Sequence, residues 1–310
     1  MLHPRAIPSQ TAGMPHAAVA ATKVELEYET FGESTDPPML LVMGLGAQMT
    51  LWDDAFCQRL ADGGRYVIRF DNRDIGLSTK FDDAPFDLGA LFGVLLGGDA
   101  TTLEVPYKLT DMAADAVGLL DALGIQTAHI VGASMGGMIA QTIAIEHPTR
   151  VRTLTSIMSN TGETEYGQPT QAAMAALMSP PPAERDAFIE HSLGGAKVIC
   201  SPRYFDAERT RKTIERNYDR SFHPEGTVRQ LAAVVASGSR ADGLQTVRAP
   251  TLVIHGRPDP LVQLSGGERT AELVPAANLL VLNDMAHDLP EPLWPLITDA
   301  ILSHTTHAIG

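Results

Sequence analysis

The sequence predicts an α/β fold, a mostly parallel central sheet flanked by helices, with a helical cap inserted into it. Three observations carry this expectation. Six short apolar runs, at residues 39–43, 66–70, 129–132, 152–157, 251–255 and 278–282, are each followed by a loop rich in Gly, Asp or Ser. Strands that are apolar throughout are covered on both faces, which is the habit of parallel sheets whose crossovers are helices. Between these runs the apolar spacing lengthens to that of a helix, and residues 161–242 hold amphipathic pieces but no convincing strand.

Taken in chain order, residues 1–22 read as an N-terminal extension, with no apolar run of signal-peptide length. Val24, Leu26 and Tyr28 then alternate with Glu25, Glu27 and Glu29, the period-2 signature of a half-exposed edge strand. Residues 23–160 and 243–310 are assigned to the core. Within it, residues 109–123 place Met112, Ala113, Val117, Leu120 and Leu123 on one helical stripe that ends at Gly124. Residues 88–96, with Leu91, Phe92, Val94, Leu95 and Leu96, are unusually apolar for a connection. They read either as the wall of a binding pocket, with Leu91 and Phe92 lining it, or as a short helix buried against the core.

The insertion at 161–242 is assigned to a helical cap, interrupted by Pro180-Pro181-Pro182. Met174, Leu177, Met178 and Phe188 suit an adaptable apolar wall or the cap's own small core. Arg209, Arg211, Lys212, Arg216 and Arg220, mixed with Glu208, Glu215 and Asp219, read most simply as a solvated helix with spaced ion pairs. The sheet pattern returns at 247–254.

Charge and cysteine usage exclude several classes of function. Against 37 acidic residues there are only 23 basic ones, a net charge of −14, so phosphate backbones and anionic membranes are repelled and a nucleic-acid partner is not expected. No stretch offers the ~18 uninterrupted apolar residues of a membrane span. Two cysteines, Cys57 and Cys200, are too few for a disulfide scaffold or a Cys-rich zinc site. A soluble cytoplasmic protein is therefore expected.

The chemistry centres on Gly132-Ala133-Ser134-Met135-Gly136, because apolar Ile130 and Val131 precede it and a helix-forming segment, 137–146, follows. A sharp strand-to-helix turn of this kind strains the serine backbone and leaves its hydroxyl exposed, as a nucleophile requires. Serine is a poor nucleophile near neutral pH, so a histidine must take its proton and a carboxylate must orient that histidine. His287 lies just past the last apolar run, at the same carboxyl edge of the sheet as Ser134. Asp259 lies past the run before it, giving the chain order Ser, Asp, His. Asp284 and Asp288 compete as neighbours of His287, but a carboxylate on a separate rigid loop fixes the ring better, which favours Asp259. Developing charge on the substrate oxygen needs backbone donors already in place. Met135 N–H supplies one, and Gly44-Leu45-Gly46 after the first apolar run supplies the other through Leu45 N–H, with Gly44 beside the substrate.

From about residue 24 to residue 303, the chain resembles the α/β-hydrolase superfamily. Asp71-Asn72-Arg73-Asp74-Ile75-Gly76-Leu77-Ser78, Trp52 and Ser134-Met135-Gly136-Gly137 are similar to the carboxylesterase group that includes aclacinomycin methylesterase, and to cofactor-free haloperoxidases. Two positions depart from the pattern: Met43 stands where many relatives carry the His of a His-Gly pair, and Asp74 replaces a usual Gly. The resemblance and the residues together imply a serine hydrolase of small to medium, largely apolar carboxylic esters that works through an acyl-enzyme and requires no metal or organic cofactor. A cofactor-free perhydrolase, or a noncatalytic small-molecule receptor on the same fold, are the alternatives.

Overall fold

The computed structural model describes residues 15–95 and 97–307. Its strands are β1 (His16–Val19), β2 (Val24–Phe31), β3 (Pro38–Val42), β4 (Tyr66–Phe70), β5 (Ala128–Ala133), β6 (Val151–Ile157), β7 (Thr251–Gly256) and β8 (Asn278–Leu282). The helices of the core are α1 (Asp54–Asp62), α2 (Leu88–Leu95), α3 (Leu109–Ala122) and α4 (Met135–Glu146). Those of the 161–242 insertion are α5 (Gln171–Met178), α6 (Arg185–Ile199), α7 (Ala207–Arg220) and α8 (Pro224–Ser237), and the short α9 (Ala241–Leu244) leads out of it. Helices α10 (Ser265–Leu273) and α11 (Trp294–His307) complete the chain.

The eight strands form one sheet in the order β1-β2-β4-β3-β5-β6-β7-β8. The first two pairings are antiparallel and every pairing from β4 to β8 is parallel. Alternation of side chains across the sheet divides the core into two layers. Leu40 and Ile130, paired across β3 and β5, pack with Met112, Leu120 and Ile143 on the α3–α4 side. Leu41 and Val131, one residue further on, pack with Phe56, Leu60 and Ile301 on the α1–α11 side. Helix α3 stops where the stripe predicts, with Gly124 in the left-handed region at φ 71°.

The amino-terminal edge differs from the expectation. β2 is not the edge, because β1 pairs along it from His16↔Glu27 to Val19↔Val24. Four residues, His-Ala-Ala-Val, are too few to give a readable period, and Glu27 looked solvent-facing although it is buried against His16. Of the stretch read as an extension, residues 16–19 thus join the sheet, while residues 1–14 lie outside the described residues.

No strand occurs among the described residues of the insertion, and its entry and exit meet. Arg240 N–H donates to Thr161 C=O at 2.8 Å, and the Arg240 side chain donates to Gln141 Oε1, Asn160 C=O and Gly238 C=O. Its guanidinium therefore rests on neutral oxygens, and burial brings its pKa down to about 10.

Helix α7 is not simply a solvated helix. Arg211 and Lys212 pair with Glu190 and Glu208 at the surface, but Arg209, Arg216 and Arg220, on another face, dock onto the core. Arg209 bonds Asp53 at 3.0 Å, pairs with Glu291 and covers the Trp294 ring. Arg216 reaches Thr50 C=O, and Arg220 reaches Gln48 and the fully buried Asp71. Phe188 packs with Tyr218 and Phe222 in an aromatic cluster joining α6 to α7.

Candidate active site

Ser134 sits between β5 and α4 with φ 56° and ψ −122°, a strained backbone for a residue with a side chain, at a cost of ~1–3 kcal/mol. Packing holds it there. Its N–H donates to Ile157 C=O at 2.9 Å, and its C=O accepts from Gly137 and Met138. A Cβ on Gly132 would lie 2.0 Å from Gly136 O, and one on Gly136 would lie 2.0 Å from Val42 O. The two glycines thus let α4 leave the sheet steeply enough to present the serine at its carboxyl edge.

Asp259 and His287 arrive from the loops that follow β7 and β8, beyond β6 on the same side of the sheet. His287 Nε2 is 3.0 Å from Ser134 Oγ, and His287 Nδ1 is 2.8 Å from Asp259 Oδ2. The other Asp259 oxygen accepts from Leu261 N–H and Val262 N–H, both at 2.9 Å, so the carboxylate cannot swing away from the ring. A hydrogen on Nδ1 is the arrangement that satisfies both contacts, leaving Nε2 to accept from the serine. The rival acids are engaged elsewhere: Asp284 Oδ2 accepts from Arg203 at 2.7 Å, and Asp288 Oδ1 accepts from Ser201 N–H at 2.9 Å. Nearby His255 donates to Val262 C=O, and burial pulls its pKa down, so it stays neutral beside Asp259.

Among the described residues, two backbone amides expected near Ser134, those of Met135 and Leu45, have no protein acceptor. Met135 opens α4, where an N–H has no intrahelical acceptor. In the loop after β3, Ala47 N–H donates to Gly44 C=O and Gly46 N–H donates to Gln230 Oε1 at 2.9 Å. Among the described residues this leaves Leu45 N–H without a protein acceptor. The loop closely approaches the serine, since a Cβ on Gly44 would stand 3.1 Å from Ser134 Cβ. Met43 fills the α1–α11 core layer, and its C=O accepts from Asn72 Nδ2 at 2.9 Å.

The proposed pocket residues of α2 are not gathered with these groups. Leu91 is buried in a satellite cluster with Leu103 and Ala232, against α8, and Phe92 is 43% exposed. Leu96 lies outside the described residues.

Polar contacts from the cap to the core escaped sequence reasoning. Gln230, fully buried, bridges Gly46 N–H and Arg73 C=O. Asp74, the departure from a usual Gly, does adopt a left-handed backbone at φ 69°, and its buried carboxylate takes a two-pronged bond from Arg229 and a third from Tyr107. Burial alone would raise the Asp74 pKa, but these bonds hold it below the usual carboxylate range. The unusual aspartate was the available signal. Asp74, Asp82 and His223 also bring potential metal-ligand atoms within 4.8 Å of one another. Arg229 Nη2 lies within 3.0 Å of an atom of each of the three, so a guanidinium already occupies the cluster.

The fold and this serine-centred edge define the class. The chain belongs to the α/β hydrolase fold family, whose model matches residues 37–291. Among curated proteins it is similar to rhodomycin D methylesterase DauP of Streptomyces sp. (strain C5), 27% identical over 95% of this chain and 99% of that protein. The DnrP methylesterase of Streptomyces peucetius is similar to the same extent. Among solved structures, a meta-cleavage product hydrolase from Pseudomonas fluorescens IP01 superposes with a TM-score of 0.74 at 20% identity, covering 95% of this chain and 98% of that one. No helix of the described residues is long and apolar enough to cross a membrane.

Proposed function

We propose that Ser134 attacks the carbonyl of a small to medium, largely apolar carboxylic ester, forming an acyl-enzyme that water then hydrolyses. The chain is a carboxylic ester hydrolase, and the observation that carries this mechanism is the unbroken line from Asp259 through His287 to Ser134 at 2.8 and 3.0 Å. His287 takes the serine proton during attack and returns it to the leaving alcohol. It repeats the transfer with water to release the acid. Asp259 keeps the ring in the accepting tautomer. Leu45 and Met135 N–H groups hold the oxyanion of each tetrahedral intermediate. Kinship with two methylesterases supports a substrate whose alcohol part is small.

The test is a chain-length series of p-nitrophenyl esters run beside a fluorophosphonate probe. Turnover with stoichiometric labelling of Ser134, slowed while saturating ester is present, is the expected result. A protein that binds these esters yet neither turns over nor labels is a receptor, and the proposal fails.

A further inference from the structure

We propose that the segment at the end of α6, Ile199 to Ser201, is a positioning element that sets His287 on Ser134, with the buried Ser201–Asp288 pair as its fastening. This rests on the reading of His287 as the base. Three consecutive residues of the base loop are each tied to this segment. His287 N–H donates to Ile199 C=O at 3.0 Å, and Ala286 N–H donates to Ser201 Oγ at 2.8 Å. Ser201 N–H donates to Asp288 Oδ1 at 2.9 Å, and the Ser201 hydroxyl donates to the same oxygen. Ser201 is fully buried, so water does not replace these bonds when one is lost.

The hydroxyl accepts on one side of His287 and donates on the other, clamping the main chain that carries the imidazole. No bond in this set touches the ring, whose two nitrogens are committed to Ser134 and Asp259. The segment belongs to the cap, since α6 packs on α7 through Phe188, Tyr218 and Phe222, and α7 docks on the core through its arginines. Seating of the cap and placement of the base are therefore one event. Asp288 serves here as an acceptor, and its charge is not what the geometry uses.

The experiment measures kcat and KM for p-nitrophenyl acetate in the full-length protein carrying Ser201→Ala, Asp288→Ala, Asp288→Asn, Arg203→Ala or His287→Ala, with near-ultraviolet circular dichroism to check packing. A displacement near 1 Å costs up to about 100-fold, so Ser201→Ala and Asp288→Ala are expected to lower kcat by about 10- to 100-fold with KM within about twofold. Asp288→Asn, which keeps the acceptor oxygen, is expected to recover most of what Asp288→Ala loses. Arg203→Ala, which removes the exposed pair to Asp284 and a surface contact with the Tyr204 ring, leaves kcat unchanged. Unaltered kcat in both alanine variants overturns the proposal, as does an Asp288→Asn variant as impaired as Asp288→Ala. If Ser201→Ala does not fold, the Asp288 pair of variants decides. Undiminished turnover in His287→Ala instead overturns the acyl-enzyme reading, a result separable from either outcome at Ser201.

Discussion

At the scale of single residues, the site combines one strained backbone with side chains that have little freedom to move. Ser134→Ala is expected to abolish ester turnover and phosphonate labelling while leaving the fold intact, and persistent labelling of the variant would refute its role. Asp259→Asn keeps the shape but permits the wrong imidazole tautomer, so kcat is expected to fall by as much as about 10⁴-fold, as in a serine protease triad. Asp284→Asn, in the exposed pair with Arg203, is expected to leave steady-state rates unchanged. Both thiols are held protonated by burial, Cys57 and Cys200 each pushed up to about 12, so neither competes with Ser134 for an acylating reagent.

At the scale of elements, α2 and α8 separate packing from chemistry. Leu91→Asp is expected to destabilise the protein by ~2–5 kcal/mol, because it puts a carboxylate into the cluster with Leu103 and Ala232, whereas Phe92→Asp at an exposed position changes the melting temperature little. A selective rise in KM for longer esters in the Phe92 variant would place Phe92 on the acyl wall. Gln230→Ala frees Gly46 N–H and loosens the loop that carries Leu45, so kcat is expected to drop by about tenfold or more while the melting temperature falls by a few degrees. The interior strands were legible because cover on both faces leaves an uninterrupted apolar run, and residues 66–70 coincide with the buried β4; residues 278–282 coincide with β8, an apolar run at the sheet edge that is only partly covered. Ser134 was legible because its turn demands glycine on both sides. His287 and Asp259 could be chosen because parallel strands bring the carboxyl ends of β5, β7 and β8 to one edge. The cap's attachments were not legible: Arg211 and Arg216 are the same residue type five positions apart, and only the approach of the core decides which one pairs with Glu190 at the surface and which finds Thr50 C=O. The choice of Leu45 among three loop amides likewise depends on Gln230, more than 180 positions away.

At the scale of the whole molecule, stability depends on pH through groups buried in one protonation state. His129 is fully buried on β5 with Thr153 beside its Nδ1, and burial first, then Arg65 and Arg152, bring its pKa down from 6.5 to about 4. Between those values the unfolded chain binds a proton that the folded one refuses, so stability is expected to fall as pH drops from 6.5 to 4, by on the order of 3 kcal/mol. Urea titrations should show this slope, and His129→Leu should flatten it. The Asp74 carboxylate, held below its usual range, contributes stability that is lost at still lower pH, as the folded protein itself becomes protonated. The clasp that Arg240 makes between the start and end of the insertion has a kinetic consequence. Pairing β6 with β7 brings together strands separated by roughly ninety residues that contribute no strand, a loop whose closure costs about 2 kcal/mol more than one of ten. Once the clasp forms, that long excursion is already closed, and β7 has only a short tether left to span. Pulse-labelled hydrogen exchange during refolding should then find the amides at Thr161 and Arg240 protected no later than those of β7 and β8. Arg240→Met should delay the joining of β7 and β8 while β3 to β6 assemble on their original schedule.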